Sequence, residues 1–197
     1  MHHILRHFSG MLPYMALILP FHIAVRLIAL KLRKVKINWY HEIAFCLFVS
    51  FVAGLASQTI LSEIEFSQGG ITVHNGNHNT ALIPFRFLCY MLRDLFVNHS
   101  FKSLLIDFLG NIAMFMPFGF FLPLLWRISG KATAAVGFCV SLSIELIQLF
   151  LPRWTDIDDL ILNTSGTLLG LLVFHLLSKY FHVYFQKFRL FREEENC

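Results

Sequence analysis

Charged residues are scarce in this chain. Of its 197 residues only 14% are Asp, Glu, Lys or Arg, whereas 56% are hydrophobic, and the mean hydropathy is +0.64. A soluble domain carries about 25% charged and 45–50% apolar residues. So little charge cannot cover the surface of a small water-soluble protein, nor form the basic surface of a nucleic-acid-binding protein. The composition therefore predicts an integral membrane protein of one compact domain, with no nucleic-acid partner.

Motifs of several enzyme and metal-binding classes are also missing. The four cysteines form no CxxC pair, and the ten histidines form no HExxH sequence or paired ligand face. GxSxG, Walker and dinucleotide-binding loops are absent. We therefore expect no metal site, no other cofactor and no serine or cysteine nucleophile. A divalent ion held by outer-loop histidines and nearby carboxylates is the less favoured alternative.

Five apolar stretches are long enough to cross a bilayer, which takes about 20 residues for a core of roughly 30 Å. They are Met11–Leu30, His41–Leu61, Leu104–Trp126, Ala132–Leu151 and Asp158–Ser178. A cleaved signal peptide is the competing interpretation of the first, but its positive charges follow the apolar run instead of preceding it. We predict an all-α membrane protein, a compact bundle of about five transmembrane helices.

Lysine and arginine are unevenly distributed between the loops. Ten of the 16 are concentrated in 31–36, after the first stretch, in 127–131, between the third and fourth, and in 179–192, after the fifth. In a five-helix topology these segments share one side, which the positive-inside rule makes cytoplasmic. We predict a multi-pass protein of the cell membrane with its N-terminus outside and its C-terminus in the cytoplasm. Arg26 would snorkel to the inner surface.

The long outer loop and the third stretch have local signals of their own. Ile71–Val73, flanked by glycines, indicates a small hairpin. The apolar side chains after Pro84 fall on one side of a helix, which predicts an interfacial helix on the outer leaflet; a loop packed over the helix ends is equally compatible. Pro117 and Pro123 predict a kinked or re-entrant segment in the third stretch.

Polar side chains recur at similar depth near the outer ends of three predicted helices. A rise of 1.5 Å per residue places Asn111, Glu145 and Asn163 roughly 8–10 Å below the outer edge. A carboxylate facing lipid costs about 2.5–3.5 kcal/mol, so these groups should face the bundle interior. Arg153 is the expected counter-ion. The inner half has no comparable polar set, which argues against a transport path.

From this set we select candidate site residues. Glu145 and Asp159 are hypothetical general acid or base groups, because buried carboxylates can do that chemistry. The candidate binding residues are Asp107, Asn111, Gln148, Arg153, Asp156, Asp158 and Asn163. Interhelical packing is the expected role of four hydroxyl residues, Ser141, Ser143, Thr164 and Ser165. Gly166 and Gly170, spaced as GxxxG, should pack within the bundle instead of forming a dimer interface.

Four of these blocks, in this order and spacing, resemble the VanZ-like membrane family. The blocks are Leu82-Ile83-Pro84-Phe85, the run from Asn111 through Phe115, Pro117 and Gly119, the spacing Ser141…Glu145…Gln148, and the stretch from Arg153 to Gly166. The resemblance covers roughly residues 41–178. The chain departs from it at Ala81, where the family pattern has Asn; Asn79 lies close by.

This resemblance implies a small integral membrane protein whose matching polar residues lie near the outer face. The family's name is tied to low-level resistance to the glycopeptide teicoplanin. We expect an N-terminal helix and basic cytoplasmic loop at 1–40, a VanZ-like membrane domain at 41–178 and a cytoplasmic basic and acidic tail at 179–197. Membrane lipids are the expected partners, together with a lipoglycopeptide or a cell-wall precursor; no oligomeric state is predicted.

Four functions remain open at this stage. The favoured one is a binding or envelope-maintaining protein that lowers glycopeptide action at the outer leaflet. The alternative is an intramembrane enzyme that acts on an envelope lipid or lipid-linked wall precursor through carboxylate acid–base chemistry. A small transporter and a scaffold with purely structural polar residues are the other two.

Overall fold

The computed structural model describes residues 2–34, 36–60, 64–67, 70–73, 80–81, 84–93, 96, 101–151 and 155–188. These ranges contain seven helices and four short strands. In chain order they are α1 (His2–Arg33), α2 (Trp39–Thr59), β1 (Ile64–Ser67), β2 (Gly70–Val73), β3 (Thr80–Ala81), α3 (Arg86–Arg93), α4 (Phe101–Trp126), α5 (Gly130–Gln148), β4 (Thr155–Asp156), α6 (Ile157–Tyr180) and α7 (His182–Lys187).

Five of the helices are long and apolar enough to cross a membrane, which confirms the predicted all-α membrane bundle. The spans are Gly10–Arg33, Trp39–Thr59, Phe108–Trp126, Gly130–Gln148 and Ile157–Tyr180. Each overlaps one predicted stretch. The protein is therefore a multi-pass membrane protein. The most exposed apolar side chains of α1, such as Leu17 and Phe21, are suited to contact with lipid.

The long loop between α2 and α4 carries the two predicted local elements. Strands β1 and β2 pair antiparallel, with Ile64 opposite Val73, and so form the expected hairpin. Helix α3 corresponds to the predicted helix after Pro84. Strand β3 pairs in parallel with β4, with Ala81 opposite Asp156. This second pairing joins the outer loop to the beginning of α6.

Helices α4 and α6 run parallel in very close contact at the centre of the bundle. A Cβ atom on Gly166 would overlap the main-chain carbonyl of Ile112, and one on Gly170 would overlap that of Met116. A Cβ on Gly119 would likewise overlap the carbonyl of Thr167. The GxxxG glycines thus serve packing within the chain, as predicted, because only a missing side chain lets the two backbones approach this closely.

Aromatic side chains fill the space between α2 and α4. Phe48 contacts Phe118 edge to face at 5.5 Å between ring centroids, and Phe115 stacks on Phe118 at 5.3 Å. Phe115 and Phe118 are buried, together with Leu125 on the same helix. Such ring pairs contribute about 0.5–1.5 kcal/mol each beyond the area they bury. The 22 phenylalanines of the chain therefore include side chains that pack in the bundle core as well as side chains on the lipid-facing surface.

Helix α4 continues through both of its prolines. Pro117 and Pro123 lie inside the single helix Phe101–Trp126. The segment therefore does not adopt the re-entrant form. Pro123 is buried, so its ring packs in the bundle interior.

The end of the bundle away from the outer loop carries a polar cluster that the sequence did not predict. We call this end the latch end. It is defined by Arg26, Asn38, His41, Glu42 and Phe188. Arg26 donates from Nε to Glu42 at 2.6 Å and from Nη2 at 2.9 Å, a bidentate ion pair that joins α1 to α2. The inner half was expected to have no comparable polar set. That expectation is wrong, because Glu42 in the first turn of α2 supplies Arg26 with a partner inside the bundle, whereas the snorkelling of Arg26 stays a prediction.

The chain after α6 returns to this latch end. The Asn38 amide donates to the carbonyl oxygen of Lys187 at 2.8 Å. His41 is 1% exposed, and its Nδ1 lies 2.8 Å from the carbonyl oxygen of Phe188. Since a carbonyl oxygen only accepts, the proton must be on Nδ1. The Lys187 ammonium group also lies over the Tyr40 ring at 5.6 Å. These contacts hold α7 against the beginning of α2.

We expect His41→Phe to release α7 while the bundle stays folded. Phenylalanine fills the volume of the buried ring, but it cannot donate to the Phe188 carbonyl, a hydrogen bond of about 0.5–1.5 kcal/mol. Hydrogen–deuterium exchange of 182–188, followed by mass spectrometry in detergent, should become several-fold faster. The matched control is His175→Phe, because the exposed His175 ring contacts a carbonyl of its own helix, that of Leu171. Equal exchange rates in both variants would contradict the conclusion that the hydrogen bond from His41 to the Phe188 carbonyl holds α7 in place.

Candidate functional site

Most of the predicted polar residues lie at the opposite end of the bundle. We call it the site end. It comprises the C-terminal turns of α2 and α5, the first turns of α6, and the part of α4 near Asn111. Four helices contribute because α2 and α5 end where α4 and α6 begin. Burial of polar groups here requires compensating hydrogen bonds, and the contacts at the site end supply several.

Asp159 is held by an amide from a neighbouring helix. Asn111 on α4 donates from Nδ2 to Asp159 Oδ1 at 2.6 Å. Asp159 lies in the first turn of α6, where the helix dipole also favours a negative charge. The pair confirms the prediction that polar groups of the third and fifth membrane helices converge. It also fixes the orientation of a carboxylate near the membrane surface.

Asp158 connects α6 to the outer loop. Its side chain is buried, and its Oδ1 accepts a hydrogen bond from the Phe85 main-chain nitrogen at 2.5 Å. Phe85 has a φ of 62°, a conformation that is costly for a bulky residue unless its surroundings hold it. Asp156 is the N-cap of α6, and its side chain accepts from the Asp158 nitrogen at 3.0 Å. The Pro-Phe motif and the first turn of α6 thus form one unit.

A second pair lies one turn deeper. Asn163 donates from Nδ2 to Ser141 Oγ at 3.0 Å, so α5 and α6 are joined by two buried side chains. The fully buried Thr167 follows on α6 and donates to the Asn163 carbonyl at 3.2 Å. Ser141 therefore has the expected role between helices. Ser143 and Thr164, by contrast, donate to carbonyls of their own helices.

Glu145 lies on the same face of α5 as two residues whose partners are known. Ser141, one turn before it, contacts α6, and Gln148, three residues after it, donates from Nε2 to the Thr59 carbonyl of α2 at 3.0 Å. Glu145 itself is 7% exposed and Gln148 4%. The Glu145 carboxyl group is therefore inside the bundle, between α2 and α6, and not toward lipid.

Two candidate residues are not placed at the site end. Arg153, the expected counter-ion, lies outside the described residues. Asp107 lies within α4, but its side chain is not among those described. Ala81, the departure from the family pattern, pairs with Asp156 through its backbone, while Asn79 is outside the described residues.

Sequence reasoning missed the main-chain contributors to this end. The Thr59 carbonyl and the Phe85 N–H group both bond to predicted site side chains. Main-chain groups have no sequence signature. The one available signal was position, because Thr59 lies close to the end of the predicted span His41–Leu61 and Phe85 is the last residue of the Pro-Phe motif.

The described side chains of the site end are hydrogen-bonding groups and do not form a recognisable metal site. Among the residues that the structure describes, no three His, Cys, Asp or Glu side chains are grouped to hold a metal ion. The carboxylates of Glu145, Asp158 and Asp159 can accept hydrogen bonds from hydroxyl, amide or ammonium groups. The site end is therefore a cluster of hydrogen-bonding polar groups at one end of the membrane bundle.

These features define a multi-pass helical membrane protein with a buried polar site at one end. The model of the VanZ/LLP1 family matches residues 43–178, well over half of the chain. The chain therefore belongs to the VanZ/LLP1 family. All four blocks that carry the resemblance lie within the matched range. No curated protein and no solved structure matches the chain.

Proposed function

We propose that this VanZ-like protein binds the polar head group of an envelope amphiphile at the site end, in the outer leaflet, and thereby lowers susceptibility to glycopeptides of the teicoplanin type. The observation that carries the proposal is the burial of Glu145 and Asp158 beside the Asn111–Asp159 pair. Buried carboxylates are costly in a membrane, and a bundle with only structural needs gains little from several of them.

The position of the site favours an amphiphilic ligand. Asp158 and Asp159 lie in the first turn of α6, and Gln148 is the last residue of α5. These residues are therefore near the membrane surface, where lipid head groups and the sugars and peptides of lipid-linked wall precursors lie. In the orientation predicted from lysine and arginine, this surface is the outer one. A lipoglycopeptide has the same combination of a polar head and an acyl chain.

An intramembrane enzyme is the second candidate. The Asn111 amide orients the Asp159 carboxylate as neighbouring groups orient a general acid or base. Glu145 would act in a water-poor interior, where such groups are most effective. The substrate would be an envelope lipid or a lipid-linked wall precursor. Changed lipid or precursor profiles in expressing cells would favour this candidate over binding alone.

The test compares susceptibilities of a glycopeptide-sensitive host that expresses wild type, Glu145→Gln or Asp159→Asn at equal membrane levels. We expect wild type alone to lower teicoplanin susceptibility. A lost hydrogen bond to a charged group costs about 1.5–3 kcal/mol, which is about tenfold or more in affinity. Vancomycin, tested in parallel, shows whether the effect needs the acyl chain.

The matched control is Thr164→Val, which removes a hydroxyl that donates within its own helix. It should behave as wild type. If both carboxylate variants protect as well as wild type, the polar groups are structural and the scaffold function is correct. If expression of the wild type changes susceptibility to neither drug, the resistance proposal is wrong. Lipid and precursor profiles of the expressing cells then test the proposal that the protein is an intramembrane enzyme.

A further inference from the structure

A lateral groove opens between α2 and α5. Phe118 of α4 forms part of its lining, and the cavity volume is about 460 Å³. Val52 and Ala56 lie on the α2 side, and Ala135 and Cys139 on the α5 side. Nearly all of the lining is apolar, and small side chains at these positions leave the groove wide. An apolar groove of this kind in a bilayer suits a hydrocarbon chain.

The length of the groove corresponds to one leaflet. Along α5 its lining runs from Ala135 to Ile147, about 18 Å at 1.5 Å per residue. Along α2 it runs from Val52 to Ile60, about 12 Å on the same rise. One leaflet of the hydrocarbon core is about 15 Å thick, half of roughly 30 Å. The groove therefore accommodates the acyl chain of a lipid from the leaflet on its own side.

The groove is continuous with the site end. Thr59 lines it, and the Thr59 carbonyl accepts the hydrogen bond from Gln148 that joins the two walls. Ile144 and Ile147, also in the lining, flank Glu145 along α5. A chain in the groove thus ends at the level of Thr59 and Ile147, next to the hydrogen bond between Gln148 and Thr59, where the head group of the same molecule would begin.

We propose that the groove binds an acyl chain of the amphiphile whose head group occupies the site end. This inference rests on the proposed function and names the class of its ligand: a molecule with a hydrocarbon tail about one leaflet long. The groove selects molecules that have such a hydrocarbon tail. The carboxylate and amide groups of the site end recognise the head group of the same molecule.

The test uses photocrosslinking in nanodiscs that contain phosphatidylglycerol with a diazirine in its acyl chain. We expect adducts on the α2 and α5 residues of the groove. Ala135→Phe and Ala56→Phe fill the groove from opposite walls, and each should reduce these adducts about tenfold, a loss of about 1.4 kcal/mol. The control is Ala24→Phe, because Ala24 is exposed on α1, away from the groove. Glu145→Gln should also reduce groove adducts.

A second measurement avoids any effect on folding. Cys139 is exposed and lines the groove, so the purified protein can be modified there with an alkyl methanethiosulfonate. The attached chain should displace the diazirine lipid, and Cys139→Ser protein treated identically should keep its adducts. Equal labelling of α1 and the groove in every variant would mean annular lipid only and overturn the proposal. Groove labelling that Glu145→Gln leaves unchanged would overturn the link to the head-group site.

The two proposals fail in different ways. If the susceptibility test is negative but groove adducts depend on Ala135, Ala56 and Glu145, the tail site stands and the resistance function does not. If susceptibility depends on Glu145 and groove adducts do not depend on the filling variants, the head-group site stands without the tail site.

Discussion

Gly166→Leu should abolish the folded protein. A Cβ atom at this position already overlaps the Ile112 main-chain carbonyl of α4, and a helix backbone cannot move aside as a flexible side chain can. Overpacking a tight interface costs about 1–3 kcal/mol, occasionally more, and here both α4 and α6 must shift. We expect little protein in the membrane and, for any that is purified, a large fall in Tm by fluorescence-detected size-exclusion chromatography.

The control for this prediction lies on the same helix pair. Gly110 on α4 has nothing within 4 Å of the position that a Cβ would take. Gly110→Ala should therefore keep the Tm or raise it slightly, because alanine has about 1 kcal/mol better helix propensity than glycine. Comparable damage from Gly110→Ala and Gly166→Leu would show that the loss of stability does not come from the α4–α6 contact at Gly166.

Glu42→Gln should be the most damaging single change at the latch end. It leaves the Arg26 guanidinium group without its carboxylate partner, although the Arg26 side chain is only 22% exposed. Breaking one partner of a buried ion pair costs about 3–5 kcal/mol. The expected readout is a large fall in Tm and loss of protection of the α1–α2 contact in hydrogen–deuterium exchange.

The double variant Arg26→Gln/Glu42→Gln separates the pair from the individual side chains. It removes both charges and should recover much of the lost Tm, because no unpaired charge then remains inside the bundle. Arg33→Gln, an exposed cation at the end of α1, is the charge control and should have a small effect. A double variant as unstable as the sum of the two single variants would contradict a direct interaction.

The fold was largely predictable from the sequence. Spans such as His41–Leu61 were predictable because an apolar run of about 20 residues matches the thickness of the hydrocarbon core when it is helical. The predicted hairpin at Ile71–Val73 and the helix after Pro84 followed from local turn and periodicity signals. The re-entrant alternative for Pro117 failed because packing of α4 against α6 keeps the helix intact. Local propensity does not contain that tertiary contact.

The similar depth of some polar side chains was predictable from the sequence, but their hydrogen-bond partners were not. Asn111 and Asn163 were expected at similar depth, but Asn111 contacts Asp159, in the first turn of α6, and Asn163 contacts Ser141. Helix crossing decides these partners, and periodicity alone does not report it. The Arg26–Glu42 pair was missed because Glu42 lies at the beginning of a span, where a charge is unremarkable on its own.

The parallel pairing of β3 with β4 has a consequence for biogenesis. Phe85 and Asp158 are 73 positions apart, and the strand contact spans a similar separation. In the orientation predicted from lysine and arginine, Phe85 crosses the membrane before α6 has been made. The hydrogen bonds of the first turns of α6 can therefore form only after that helix is inserted. A nascent chain released before α6 retains four of the five candidate spans and lacks Asp158, Asp159 and Asn163.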